Sequence, residues 1–173
     1  INDIISNKIN NICTYLNNYL ITNDHYSVYM SEYPMAYYHS SFKPIIGTPD
    51  VVLYDENSDS FVIIDFKLSN FWSNLDLQNL PVKYDLETNC DLQHINSYNA
   101  QYYKTCIQLN IYRLMLKQYI LNNNSSTTRV SRGVKIDMKL LSINDINSYS
   151  WADVPLINIE NRLFKWIKLI ISI

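Results

Sequence analysis

Glycine and cysteine are the residues of which this 173-residue chain has little. Its two glycines, Gly47 and Gly133, form no P-loop and no GxGxxG pattern, so the usual nucleotide-binding loops are excluded. HExxH and nucleophile-elbow patterns are absent too. The three cysteines have no CxxC spacing, which argues against a disulfide framework and a zinc site and agrees with a reducing, intracellular setting.

The chain also lacks a strong charge of either sign, because 14 Lys and Arg face 16 Asp and Glu. A protein that only coats nucleic acid is usually basic, whereas an enzyme that holds a divalent cation carries acidic ligands. No apolar run has the length of a membrane span, and the N-terminus has no basic region of a signal peptide. We therefore expect a non-secreted intracellular protein with no membrane partner. Since the first residue is Ile rather than Met, we expect a domain taken from a longer polypeptide with other domains.

Apolar side chains are plentiful, at 47% of the residues, which is enough for one core in a single domain spanning 1–173. Apolar residues spaced three and four apart predict helices over 1–20, 101–121 and 157–173. Runs of β-branched and apolar residues predict strands over 27–38 (ending near Pro34), 50–54, 61–67 and 134–143, with an extended insertion over 70–100. These elements predict a mixed α/β domain whose central sheet is flanked by helices.

Two aspartates stand at the ends of the predicted strands 50–54 and 61–67. The polar cluster 55–60 between the strands predicts a tight turn and an antiparallel hairpin. The hairpin brings Asp50 beside Asp65, and the alternation of side chains along a strand puts Lys67 on the same face as Asp65. Adjacent carboxylates repel each other unless a cation lies between them, and Mg²⁺ or Mn²⁺ suits such a pair. Lys67 would orient the attacking water or neutralise developing negative charge.

A purely structural interpretation of the same residues stays open at this point. Asp50 could cap a turn after Pro49, and Asp65 with Lys67 could be an ordinary ion pair at the end of a strand. However, Asp65 directly follows the apolar run 61–64, where an unpaired buried carboxylate would cost several kcal/mol, roughly. The combined pattern therefore favours a metal site.

The pattern resembles the PD-(D/E)xK nucleases, with Pro49-Asp50 followed by Asp65-x-Lys67 across a hairpin. Gly47 to Asp50 has the GxxD form of the RecB-like branch, and Gln108 to Tyr112 is similar to its QxxxY motif. The resemblance implies a restriction-endonuclease-like core and metal-dependent hydrolysis of DNA. It also implies that Gln108 reaches toward the metal site or the DNA backbone and that Tyr112 supports it.

Two further residues are candidates through this resemblance. Glu32 is similar to the acid that these nucleases often carry in the strand before GxxD, as a direct or indirect metal ligand. Many members use a His or Glu from the first helix; here 1–20 has neither, and His25 is the nearest candidate. The stretch 90–112 also resembles uncharacterised RecB-like proteins of large DNA viruses. The three cysteines do not supply the four-cysteine iron–sulfur cluster of some RecB-like nucleases.

The expected activity is an exonuclease or end-processing nuclease acting on DNA, of the kind used in repair or recombination. One alternative is an RNA endonuclease like the cap-snatching domains of segmented RNA viruses, which share the acid-x-Lys signature and usually add a metal-binding His. A second alternative is a catalytically silent nuclease fold that serves as a scaffold.

Overall fold

The computed structural model describes residues 2–40, 42–67, 97–123, 133–145, 148–154 and 156. These residues form two helices and seven strands. The helices are α1 (Asn2–Thr22) and α2 (Ser97–Asn123). The strands are β1 (Tyr26–Ser31), β2 (Met35–His39), β3 (Phe42–Gly47), β4 (Val51–Asp55), β5 (Ser60–Lys67), β6 (Lys135–Asp145) and β7 (Ser148–Asp153).

Five of the strands form a mixed sheet in the order β1-β4-β5-β6-β7. The β4–β5 hairpin lies near its centre and closes through Asp55, whose carboxylate accepts hydrogen bonds from the backbone N–H of Asn57 (3.0 Å) and from the Ser58 hydroxyl (2.7 Å). Strands β5 and β6 run parallel, and every other pair is antiparallel. A parallel pair needs a crossover connection, and α2 lies within that connection. The hairpin is thereby held between β1 and β6.

The two faces of the sheet are buried against different helices because side chains alternate along each strand. On one face, Val52, Ile63 and Leu140 pack in a core with α2. On the other face, Val51, Leu53, Val62, Ile64 and Leu141 pack against α1, which contributes the buried Ile12. The sheet is therefore the middle of three layers.

A second sheet, which the sequence did not predict, consists of β2 and β3. This hairpin packs on α2 through Met35 and the half-buried Tyr37 and Ile45. Strand β2 is also bonded to α2, since the Gln118 side chain accepts from the Tyr38 N–H (2.8 Å) and donates to the Tyr38 carbonyl (3.0 Å). The strand expected within 27–38, ending near Pro34 or slightly beyond, corresponds to β1, which ends at Ser31; the rest of the range belongs to β2, a second strand in a second sheet.

The other expectations meet different outcomes. The α/β class, the helices near 1–20 and 101–121, the hairpin and the strand near 134–143 are confirmed, whereas β7 was not predicted. The predicted helix 157–173 and the predicted insertion up to residue 96 lie outside the described residues; residues 97–100 belong to α2.

Neither helix within the described part of the chain has the length and apolar character to cross a bilayer. Strand β1 is an edge of the five-stranded sheet, and its register shifts between Val28 and Met30.

Candidate metal centre

Asp50 lies just before β4, where the chain enters the central sheet. Its Oδ2 accepts a hydrogen bond of 2.7 Å from the backbone N–H of Phe66. Because Val51 pairs with Ile64 in the antiparallel ladder, Asp50 lies across from the end of β5. The structure therefore brings Asp50 to the residues that flank Asp65, as the hairpin geometry predicted.

Asp65 is an acidic side chain in an apolar strand, and it is only 4% exposed. Its Oδ2 lies 2.6 Å from Lys67 Nζ, on the sheet face that α2 covers. This ion pair offsets part of the cost of burying the carboxylate. The carboxylate is thus buried and only partly compensated.

The surroundings of Asp65 disfavour its negative charge. Burial is the largest effect and raises the pKa of the Asp65 carboxyl above its usual value, and the nearby carboxylate of Asp50 raises it further. Lys67 acts in the opposite direction without reversing the shift. A cation placed between the two carboxylates would remove the repulsion and supply the missing charge.

Tyr112 connects the QxxxY segment of α2 with Gly47 of the GxxD segment. Gln108 Nε2 donates a hydrogen bond of 2.8 Å to the Tyr112 hydroxyl, since the two residues lie one helical turn apart. The Tyr112 ring lies so close to Gly47 that a Cβ there would come within 2.5 Å of Tyr112 Cε1. The two motifs are therefore in direct contact, and the contact requires glycine.

Glu32 and His25 lie at opposite ends of β1. The Glu32 backbone N–H donates to the Asp50 carbonyl (3.0 Å), but its side chain is exposed and its φ is 46°. The His25 carbonyl accepts from the N–H of Glu56, beyond the far end of β4. Five strand residues separate that end from Asp50, which is roughly 17 Å. The Glu32 backbone is therefore next to Asp50. His25 is remote from the carboxylate pair, so the fold does not support the expected role of His25 as a metal ligand.

The donor set in the described residues consists of two carboxylates. No cluster of three or more His, Cys, Asp or Glu side chains occurs in those parts of the chain. Mg²⁺ commonly takes one or two carboxylates and completes its shell with waters and substrate phosphate, whereas Zn²⁺ is held by three or four side chains. The residues present therefore fit Mg²⁺ or Mn²⁺ better than Zn²⁺.

Two features of the centre were not predicted from the sequence. The Phe66 N–H orients Asp50, and backbone groups leave no mark in a side-chain pattern. The Gly47–Tyr112 contact had one signal, since Gly47 is one of only two glycines in the chain.

The sequence matched no protein-family model, and comparisons with curated proteins and with solved structures gave no match either. The fold and the centre define an α/β protein with a mixed five-stranded sheet, in which a central hairpin presents a carboxylate pair and a lysine at one end.

Proposed function

We propose that this protein is a Mg²⁺- or Mn²⁺-dependent nuclease that hydrolyses DNA phosphodiester bonds, with a restriction-endonuclease-like core of the RecB-like branch. The observation that carries the proposal is the meeting of Asp50, Asp65 and Lys67 at one end of the β4–β5 hairpin. A surface ion pair at the end of a strand would be hydrated, whereas Asp65 is buried.

The arrangement of the layers supports this core. The hairpin that carries the acids occupies the middle of a mixed sheet, and α1 and α2 cover its two faces. Helix α2 brings Tyr112 onto Gly47, three residues before Asp50. The GxxD, DxK and QxxxY segments, far apart in sequence, are therefore packed around one end of the sheet.

Each residue has a role that follows from its contacts. The carboxylates of Asp50 and Asp65 would hold the cation, and the Phe66 N–H fixes the orientation of Asp50. Lys67 Nζ has three donors, so it can keep its contact with Asp65 and also donate to a phosphate oxygen or the attacking water. The hydrogen bond to Tyr112 fixes the position of the Gln108 side-chain amide on α2. When bound, the cation supplies positive charge to the phosphate oxygens and lowers the pKa of a water.

The activity test uses purified protein with labelled single-stranded DNA, duplex DNA and RNA, in Mg²⁺, Mn²⁺ or EDTA. We expect metal-dependent cleavage of DNA, and a loss of about 10²–10³-fold or more in Asp65→Asn and Asp50→Asn because each removes a charged ligand. Asp24→Asn is the matched control, since Asp24 is an exposed aspartate in the turn after α1. Cleavage that Asp65→Asn leaves unchanged would contradict the proposal.

The same experiment separates the two alternatives. Cleavage of RNA in preference to DNA would assign the centre to an RNA endonuclease. A scaffold would cleave nothing and would show no Mn²⁺ uptake by calorimetry that depends on Asp50 and Asp65.

A further inference from the structure

Tyrosines line a groove between the β2–β3 hairpin and the C-terminal end of α2. The groove has a volume of about 450 Å³ and is named here the tyrosine groove; its walls include Tyr33, Pro34, Tyr38, Ile46, Tyr119 and Asn122. Among the described residues that line it, none is an Asp, Glu, Lys or Arg. The described lining is therefore uncharged, and it contains the rings of three tyrosines, Tyr33, Tyr38 and Tyr119.

The rings of the groove face solvent although they are apolar. Tyr38 is 62% exposed and Tyr33 is 46% exposed. Tyr33 and Tyr119 make an edge contact with their ring centres 5.8 Å apart. Burial and the neighbouring Tyr33 raise the pKa of Tyr119, so its phenol is uncharged at neutral pH. Exposed aromatic faces of this kind are binding surfaces for flat, uncharged groups.

The groove is held in shape before any ligand arrives. Both backbone groups of Tyr38 are bonded to the Gln118 side chain, which ties one wall of the groove to the other. Asn123 donates to the Tyr119 carbonyl at the end of α2. A ligand would therefore meet a preformed surface and would lose little free energy in ordering it.

The tyrosine groove begins next to the carboxylate pair. Tyr33 follows Glu32, whose N–H bonds to the Asp50 carbonyl at 3.0 Å. Standard backbone dimensions then put the Tyr33 Cα within about 10 Å of the Asp50 Cα. On the hairpin wall, Ile46 of β3 directly precedes Gly47 of the GxxD segment. An extended ligand lying in the groove would therefore lead toward Asp50.

We propose that the tyrosine groove binds unpaired bases of single-stranded DNA whose adjoining phosphodiester reaches Asp50 and Asp65. This inference rests on the nuclease function proposed above and names the form of its substrate. Bases stack on aromatic side chains whatever the sequence, because every base has a flat π-face. In a duplex those faces are covered by neighbouring bases, so only unpaired nucleotides can occupy the groove.

Charge favours this occupant over a duplex. The described lining of the groove offers no cation to a phosphate backbone, and phosphate contacts supply the sequence-independent affinity for duplex DNA. The Tyr33 Cα lies within about 10 Å of the Asp50 Cα, which leaves room for no more than a few nucleotides between the stacked base and the carboxylates. The bond that is cut would therefore lie a few nucleotides from the stacked base.

The test measures binding without cleavage. Fluorescein-labelled oligothymidylate and a duplex of equal length are titrated with the full chain in EDTA, followed by fluorescence anisotropy. Tyr33→Ala and Tyr38→Ala are expected to weaken single-strand binding roughly 5- to 100-fold each, and Tyr→Phe at the same positions, which keeps the ring, to stay within about twofold. Ile21→Ala, which removes an exposed apolar side chain from the end of α1, is the control.

Each outcome decides the inference. Single-strand binding that depends on the rings supports it, even if the wild-type protein cleaves no DNA; in that case only the proposed nuclease function fails. Unchanged binding in folded Tyr33→Ala and Tyr38→Ala overturns it, while metal-dependent cleavage lost in Asp65→Asn would leave the nuclease function standing. Self-association in sedimentation that Tyr38→Ala abolishes, with DNA binding unchanged, would instead assign the groove to a second copy of the chain.

Discussion

Asp65 carries its charge at a cost to the folded protein. Because burial and Asp50 raise its pKa in the folded state, the folded protein binds this proton more tightly than the unfolded chain. The resulting destabilisation grows as pH rises from the ordinary carboxyl value of 3.8 through the raised one, and it persists at neutral pH. A protein that keeps such a group at a strand end is less stable than it would be with a neutral side chain at that position.

Asp65→Asn should therefore stabilise the metal-free protein at neutral pH, and the gain should disappear as pH falls below the ordinary carboxyl pKa. Mg²⁺ should stabilise the wild type, because a ligand that binds only the folded state raises its stability, and should not stabilise the variant. Thermal unfolding in EDTA and in Mg²⁺ across pH measures both effects, with Asp24→Asn as the control. A wild type more stable than the variant in EDTA at pH 7 would mean that the ion pair with Lys67 outweighs burial.

Gly47 is the second residue on which the centre depends. In Gly47→Ala the new Cβ collides with Tyr112, a buried ring that cannot swing into solvent, so we expect a loss of about 1–3 kcal/mol in the free energy of unfolding. Urea denaturation measures it. In a Tyr112→Ala background the same substitution should cost little, because the ring it meets is gone. Equal costs in both backgrounds would contradict the contact.

At the scale of elements, the sequence predicted those whose signals are local. The polar run 55–60 marks a turn between two apolar strands, and Asp55 does close it. Antiparallel pairing then fixes Asp50 beside the end of β5, so the carboxylate pair followed from the sequence. The β2–β3 hairpin could not be predicted from the sequence, because β1 and β2 form one tyrosine-rich run and Pro44 interrupts the apolar pattern of β3.

Tertiary packing decides the features that were missed. His25 is close to α1 in sequence, but the sequence does not say at which end of β4 it lies. Leu121 continues the apolar spacing of α2 and is nevertheless 36% exposed, whereas Leu116 is fully buried, because the helix packs between two sheets. Such contacts depend on where whole elements lie.

Gln118 shows how a side chain can complete an edge strand. Its amide bonds to both backbone groups of Tyr38, as a neighbouring strand would. Gln118→Ala should lower the free energy of unfolding by about 1 kcal/mol and speed hydrogen exchange at the Tyr38 amide. Gln118→Glu, which keeps an acceptor for that amide and loses the donor, should protect it partly. Lys117→Ala is the control, and equal exchange in all three variants would refute this function of Gln118.

The whole molecule is built from layers that share the same strands. Leu140 and Leu141 are neighbours on β6 and are buried on opposite faces, one with α2 and the other with α1. If either helix detached, it would expose one face of strands whose opposite face packs against the other helix. We expect the two layers to unfold together.

Leu140→Ala and Leu141→Ala should each lower the free energy of unfolding by about 2–5 kcal/mol, since both side chains are fully enclosed. Far-UV and near-UV circular dichroism should report one coincident transition in both variants. Leu156→Ala, at a position 66% exposed, should change stability by less than about 0.5 kcal/mol. Separate transitions for the two probes would show that the layers fold independently.

The parallel pairing of β5 with β6 has a consequence for how the chain acquires this form. Residue 60 pairs with residue 135, so a long loop must close before the sheet gains its central ladder. Loop closure of this kind costs entropy before any contact repays it, and chains rich in such distant pairs fold slowly. Until β6 arrives, the inner edge of β5 is an open ladder that other nascent chains can join. Slower synthesis and lower temperature should therefore raise the yield of correctly folded protein.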